Sequence, residues 1–119
     1  MSSILIVEDE PDYLKIVTFQ LSSSGVAIIG ASTGAEAIQK AEQGEIGILL
    51  LDCVLPDMKG IEIAKKIRSL PGKEEIPVIF ATASESAFSE IPDDMPKMKK
   101  FLKPVSQDDL VRAIQSFLQ

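Results

Sequence analysis

Ile4-Leu5-Ile6-Val7-Glu8-Asp9-Glu10-Pro11 decides the fold. An unbroken apolar run of this kind reads as a strand covered on both faces, because a half-exposed strand would alternate with polar residues. Acids follow at once, and Pro11 then suits the first turn of a helix, where a missing N–H costs nothing. The same phrase recurs down the chain. Ile48 to Leu51 runs into Asp52, and Val78 to Ala81 runs into Thr82. Val26 to Gly30 and a weaker Lys99 to Leu102 complete a set of five predicted strands, the last lysine-rich on one side and suited to a sheet edge.

Segments of helical period lie between them. Pro11 to Ser23 carries Leu14, Val17 and Leu21 on one face, with Gly25 just past its end. Thr33 to Gln43 has Thr33 as N-cap, Glu36 three residues later, and Ala37, Ile38 and Ala41 as its apolar stripe. Ile61 to Leu70 turns Ile63, Ala64 and Ile67 inward before Pro71-Gly72 stops it. Ser106 to Leu118 opens on a Ser106/Asp109 capping box and buries Leu110, Ile114 and Phe117 or Leu118. Between Ser84 and Met98 the pattern breaks at Pro92 and Pro96, each costing about 3 kcal/mol inside a helix. A short helix near Ser86 to Glu90 and then irregular chain are expected there. Strands alternating with helices predict an α/β fold, a parallel sheet with helices on both faces.

Composition narrows the function. In 119 residues, 45% hydrophobic, one domain over 1–119 is expected. The formal charge of −6 argues against direct nucleic-acid binding, which needs clustered Lys and Arg. Cys53 is the single cysteine and histidine is absent, so zinc and Fe–S sites are excluded and any metal must be oxygen-ligated. No apolar run approaches the ~20 residues of a membrane span, and no leader pattern precedes Ile4, so a cytoplasmic protein with no membrane contact is expected.

In an open parallel sheet, ligands bind beyond the carboxyl ends of the strands. Those ends carry Glu8-Asp9, Asp52, Thr82 and Lys103-Pro104. Taken singly, each reads as a turn residue, a cap or a solvated charge. Together, three carboxylates in one crevice repel one another until a proton, a cation or a lysine relieves them. Glu8, Asp9 and Asp52 form a hard-oxygen set suited to Mg²⁺.

Ile4 to Pro11, then Leu50-Leu51-Asp52-Cys53-Val54-Leu55-Pro56-Asp57-Met58-Lys59-Gly60, then Ala81-Thr82-Ala83, then Leu102-Lys103-Pro104, together resemble the receiver domain of two-component response regulators, over the whole chain. The resemblance implies a doubly wound, flavodoxin-like (βα)5 fold with strand order 2-1-3-4-5. It makes Asp52 the phosphoacceptor, a carboxylate nucleophile attacking a phosphohistidine donor. Glu8, Asp9 and Asp52, with the backbone carbonyl of Val54, are implied to hold Mg²⁺. Thr82 is implied to hydrogen-bond the phosphoryl group and Lys103 to pair with its oxygens, Lys103 already pairing with Asp52 beforehand. Implied partners are a histidine kinase or histidine phosphotransfer protein, a downstream effector or output domain, and a second copy in a phosphorylation-dependent dimer. The activity implied is a signalling switch, autocatalytic in phosphoryl acceptance and loss but without turnover on an external substrate.

The chain departs from the family pattern in one region. An aromatic residue usually stands three places before the lysine and a Gly-Ala pair upstream of it; here those places hold Lys100, Pro96 and Lys97. Phe101 falls one place later, on the opposite face by strand alternation, and reads as core rather than switch. Lys97, Lys99, Lys100 and Lys103 read as one basic cluster, while Cys53 reads as a small packed hydrophobe. Two alternatives compete. A haloacid-dehalogenase-like phosphatase wants a second Asp two residues after the nucleophile, where Val54 stands, and a cap domain. A pseudo-receiver that binds partners without phosphorylation would not need Glu8, Asp9, Asp52, Thr82 and Lys103 intact. Nucleotide-binding Gly-rich turns and a Walker lysine are absent from the sequence.

Overall fold

The computed structural model describes residues 3–118. In chain order the elements are β1 (Ser3–Val7), α1 (Pro11–Leu21), β2 (Ala27–Ala31), α2 (Gly34–Gln43), β3 (Ile46–Leu51), α3 (Gly60–Arg68), β4 (Val78–Thr82), α4 (Glu85–Glu90), β5 (Met98–Leu102) and α5 (Gln107–Leu118). All strand pairs are parallel and the order is β2-β1-β3-β4-β5. β1, β3 and β4 are central and almost wholly buried, while β5 is an edge, as its lysines foretold.

Strand alternation sorts the core into two layers. Leu5, Val7, Leu49, Leu51, Val78 and Phe80 face α2 and α3, meeting Ala37, Ala41, Ile63, Ala64 and Ile67. Ile4, Ile6, Ile48, Leu50, Ile79 and Ala81 face α1 and α5, meeting Val17, Leu21, Leu110, Ala113 and Ile114. Each fully buried Leu, Ile or Phe contributes about 1.5–3 kcal/mol, so the sheet's two faces carry most of the stabilisation.

Element ends follow local chemistry. Pro11 starts α1, and after a 3-10 turn at Ser22–Ser24, Gly25 takes φ 80° before β2. Thr33 caps α2 by accepting from the Glu36 amide at 3.1 Å. Ser106 does the same for Asp109 N at 3.1 Å, but the Asp109 carboxylate turns to Arg112 instead of closing the predicted box. Lys59 has no oxygen to offer as the N-cap of α3, and only the reciprocal half of a capping box forms, Glu62 Oε1 accepting from Lys59 N at 3.2 Å. β3 begins two residues earlier than the sequence suggests, at Ile46, because pairing to β1 continues across a register shift at Gly47, Ser3 opposite Ile46 and Ile4 opposite Ile48. Of the two predicted candidates at the end of α5, Leu118 stays exposed and Phe117 packs, partly buried, against the α1/α5 layer.

The proline-broken stretch behaves as expected. α4 has six residues, none buried, and ends before Pro92. The Arg68 guanidinium then ties the following loop down, donating to Ile76 O at 2.8 Å and Pro96 O at 2.8 Å. Lys97 turns into β5 with φ 52°.

Candidate functional site

The carboxyl ends of β1, β3, β4 and β5 meet at one edge of the sheet. Glu8 N donates to Ala31 O at 2.9 Å and Asp52 N to Val7 O at 3.1 Å, so the sheet's own ladder extends to the first acids. The Lys103 amide donates to Thr82 O at 2.8 Å, which aligns the end of β5 with that of β4. Glu8, Asp9 and Asp52 each present a carboxylate oxygen within 4.8 Å of the others. Glu8 is 3% exposed, Asp52 half-buried and Asp9 exposed.

Lys103 divides its attention. Its Nζ lies 2.7 Å from Glu8 Oε1 and 3.5 Å from Asp52 Oδ2, and 3.9 Å from the centroid of the Tyr13 ring. The sequence expectation paired it with Asp52; the shorter contact is to Glu8, the more deeply buried carboxylate and the one with more need of a counter-charge. Burial pushes the Glu8 carboxyl above its ordinary value, the Lys103 hydrogen bond and charge compensating only in part. Burial also opposes the charged form of Lys103, yet the Glu8 hydrogen bond and the Asp52 charge outweigh it and hold the ammonium above its usual value.

Thr82 is buried, and its Oγ1 accepts from Ser84 N at 3.1 Å. Ser84 in turn caps α4, its Oγ accepting from Ala87 N at 3.1 Å. Cys53 packs beside Thr82 with its thiol pushed up to about 11, by burial first and by the Asp52 charge second, which makes it inert rather than reactive. Val54 exposes its side chain, and its amide donates to Asp52 Oδ1 at 3.3 Å. Gly60 closes this loop, its amide donating to Cys53 O at 2.9 Å; a Cβ there would strike the Asp52 carbonyl and come 3.0 Å from Cys53 Cα.

Four of the five predicted side chains thus come together, Glu8, Asp9, Asp52 and Lys103, while Thr82 stands at the adjoining end of β4 with its Oγ1 accepting from the Ser84 amide. The basic cluster does not converge. Lys97 pairs with Glu75, Lys99 lies over Phe117, and Lys100 points to α4, so only Lys103 enters the crevice. Phe101 packs into the α1/α5 layer, as alternation required. Tyr13, which by sequence reads only as a packed or surface residue, lies beneath Lys103; its place, in the first turn of the helix that follows the acids, was the available signal. The donor set fits a hard divalent cation, since three carboxylate oxygens converge and, among the described residues, one ammonium opposes them.

A doubly wound sheet with an acidic crevice and a lysine at its carboxyl edge defines a class, the phosphoacceptor receivers. The family model for the response regulator receiver domain matches residues 4–115, and the chain belongs to this family. PhoP, the alkaline phosphatase synthesis transcriptional regulatory protein of Bacillus subtilis, is 35% identical over 88 residues, which is 74% of this chain. The chain spans 36% of PhoP's length, well short of the whole regulator. The response regulator TrrA of Thermotoga maritima, solved in complex with Mg²⁺ and BeF, superposes with a TM-score of 0.86 at 27% identity, covering 98% of this chain and 99% of that one. The receiver domain of a sensor histidine kinase from Pseudomonas aeruginosa, with a magnesium ion in its active-site cleft, gives 0.82 at 26% identity, covering 98% and 97%.

Proposed function

We propose that this chain is a phosphorylation-dependent switch in which Asp52 accepts a phosphoryl group from a phosphohistidine donor. The observation that carries this reading is the convergence of Glu8, Asp9 and Asp52 within 4.8 Å, with Lys103 between two of them. Glu8, Asp9, Asp52 and the Val54 carbonyl would hold Mg²⁺, which when bound supplies the positive charge that phosphoryl transfer between two anions requires. An Asp52 carboxylate oxygen attacks phosphorus, the new O–P bond forming as the N–P bond of the donor breaks. The released imidazole takes a proton from water, leaving an acyl phosphate on Asp52. With no histidine in these 119 residues, the donor lies outside them: a histidine kinase or a histidine phosphotransfer protein. Nothing is turned over on an external substrate, and residues 1–119 act as one receiver unit on a cytoplasmic partner or output domain.

Magnitudes set how complete the switch is. Lys103 moving from Glu8 to the phosphoryl oxygens, and the Thr82 hydroxyl donating to them, make charge-assisted bonds of about 1.5–3 kcal/mol each. Taking an element from 1:99 to 99:1 needs about 5.5 kcal/mol. Lys103 gives up its 2.7 Å bond to Glu8 to do so, which lowers its net share. The shift is therefore partial, and partner binding completes it.

The test is incubation with Mg²⁺ and a small acyl phosphate, read by intact mass. Addition of one phosphoryl group that disappears in Asp52→Asn supports the reading. No addition, or addition that survives Asp52→Asn, refutes it, and steady phosphate release from unrelated phosphoesters points to the phosphatase instead.

A further inference from the structure

Asp57 has no part in the acidic crevice, yet both of its oxygens are engaged far along the chain. Oδ1 accepts from Gly34 N at 2.8 Å and Oδ2 from Ala35 N at 2.9 Å, at sequence separations of 23 and 22. These are the first two amides of α2, which no residue within a helix can satisfy. Thr33, the local cap, serves only the third, at Glu36. The α2 amides hold the Asp57 carboxyl below its ordinary value. A carboxylate gripping two amides at the positive end of a helix is a directional anchor even on the surface.

What it anchors is the loop between β3 and α3. The base of that loop is sealed by Gly60 N donating to Cys53 O and by an antiparallel bridge between Val54 and Lys59. Its tip is Asp57-Met58, and Met58 lies against Gly34 so closely that a Cβ there would collide with it. The loop is thus fixed at base and tip, and Val54, at the base, is bonded through its amide to Asp52.

We propose that Asp57 is a positioning residue for the phosphoacceptor loop: by fastening the loop tip to the start of α2, it holds the Val54 carbonyl and the Asp52 carboxylate where a divalent cation and a phosphoryl group need them. The inference rests on the reading of Asp52 and Val54 given above. Supporting groups around a metal site typically set affinity by about 10- to 100-fold. Asp57 acts at a remove, through backbone, and belongs at the lower end of that range.

The experiment compares Asp57→Ala with Thr33→Ala, which removes a cap from the same helix turn and leaves the loop anchored. Mg²⁺ affinity is read from amide NMR shifts, loop rigidity from hydrogen exchange of Val54 and Gly60 without metal, and phosphoryl acceptance by intact mass at limiting and saturating Mg²⁺. Asp57→Ala should weaken Mg²⁺ about tenfold, speed exchange at both amides and slow acceptance mainly at limiting Mg²⁺, while Thr33→Ala shifts affinity by less than about twofold. Asp57→Asn, which keeps one acceptor oxygen, should fall between them and serves if the alanine variant does not fold. Equal effects of Asp57→Ala and Thr33→Ala, or an unchanged Mg²⁺ affinity in Asp57→Ala, overturn the proposal. Wild-type protein that gains no phosphoryl group overturns the reading of Asp52 instead, and the affinity and exchange measurements still decide the role of Asp57.

Discussion

Lys103→Met separates the two jobs that the lysine performs. In metal-free protein it leaves Glu8, 3% exposed, without the partner at 2.7 Å, and removes from Asp52 a contact at 3.5 Å. Losing one member of a fully buried pair costs about 3–5 kcal/mol. The Lys103 side chain is 15% exposed, so water reaches the vacated place and the cost falls to about 2–3 kcal/mol. Methionine is the right replacement because a thioether against the Tyr13 ring recovers about 0.3–1.5 kcal/mol of the lost cation–π contact. Denaturant unfolding in the presence of a chelator measures the loss. Glu8→Gln removes the orphaned charge, so the double variant should be more stable than the sum of the two changes by about 1.5–3 kcal/mol. Additivity within about 0.5 kcal/mol would show that Glu8 and Lys103 do not depend on each other, and the electrostatic argument would fall.

With Mg²⁺ present the same substitution acts in the opposite direction on affinity. Among the described residues Glu8, Asp9 and Asp52 contribute −3 against the +1 of Lys103, and removing that +1 leaves the cation a more acidic site. A relief of about 1–2 kcal/mol corresponds to Mg²⁺ binding roughly 5- to 30-fold tighter by calorimetry. Phosphoryl acceptance should nonetheless fall, because the charge meant for the phosphoryl oxygens has gone. If affinity and acceptance change in the same direction, Lys103 is not the cation that yields to metal and serves phosphate.

Three further outcomes are expected. Lys97→Gly should raise stability by about 1 kcal/mol, since φ 52° strains a side-chain-bearing residue and the Glu75 pair it gives up is exposed; urea unfolding checks it. Cys53 should resist alkylation at neutral pH in folded protein and react only on unfolding, because it is buried and its thiol is pushed up to about 11; a thiol reagent followed by mass measurement reads this. Asp57, held below its ordinary value, contributes stability that is present above about pH 4 and is lost as pH falls through its depressed value, so wild type and Asp57→Asn should converge in stability in acid urea melts.

How much of this was legible in the sequence depended on range. β1, β3 and β4 announced themselves because central parallel strands bury both faces and need no alternation. Glu8, Asp9, Asp52, Thr82 and Lys103 followed, since each sits at the carboxyl end of a strand or within two residues of it, and strand ends are brought together by the sheet itself. Side-chain choices among those neighbours were not legible. Lys103 prefers Glu8 to Asp52 by relative burial, a property of the packed state, and Tyr13 slides beneath it for the same reason. Asp57 was hidden by distance: nothing local to it predicts a cap on a helix 23 residues upstream. The Ser106/Asp109 box was over-read because the pattern cannot tell whether an exposed carboxylate turns back to the amide or outward to Arg112.

Lys100 shows how a departure from the family pattern reshapes the route outward from Thr82. Its ammonium pairs with Asp93 at 2.9 Å, donates to Ile91 O at 3.2 Å and lies 4.6 Å from the centre of the Phe88 ring, so it grips the end of α4 from β5. The start of α4 hangs on Ser84, whose amide is held by Thr82 Oγ1. α4 buries no residue of its own, though Ala87 packs in part against the α2/α3 layer and Ile91, just past its end, is buried there, so these two attachments supplement a thin apolar contact. Because Asp93 is largely solvent-exposed, that ion pair contributes about 0–1 kcal/mol and the cation–π contact about 0.5–2 kcal/mol. The sum is comparable with one charge-assisted bond at Thr82, about 1.5–3 kcal/mol. A displacement of Thr82 toward a phosphoryl group on Asp52 would therefore pull at the start of α4 with a force the far attachment can neither ignore nor fully resist. On the reading of Asp52 proposed above, such a pull would arrive at the start of α4, through Ser84, rather than at an aromatic side chain on β5.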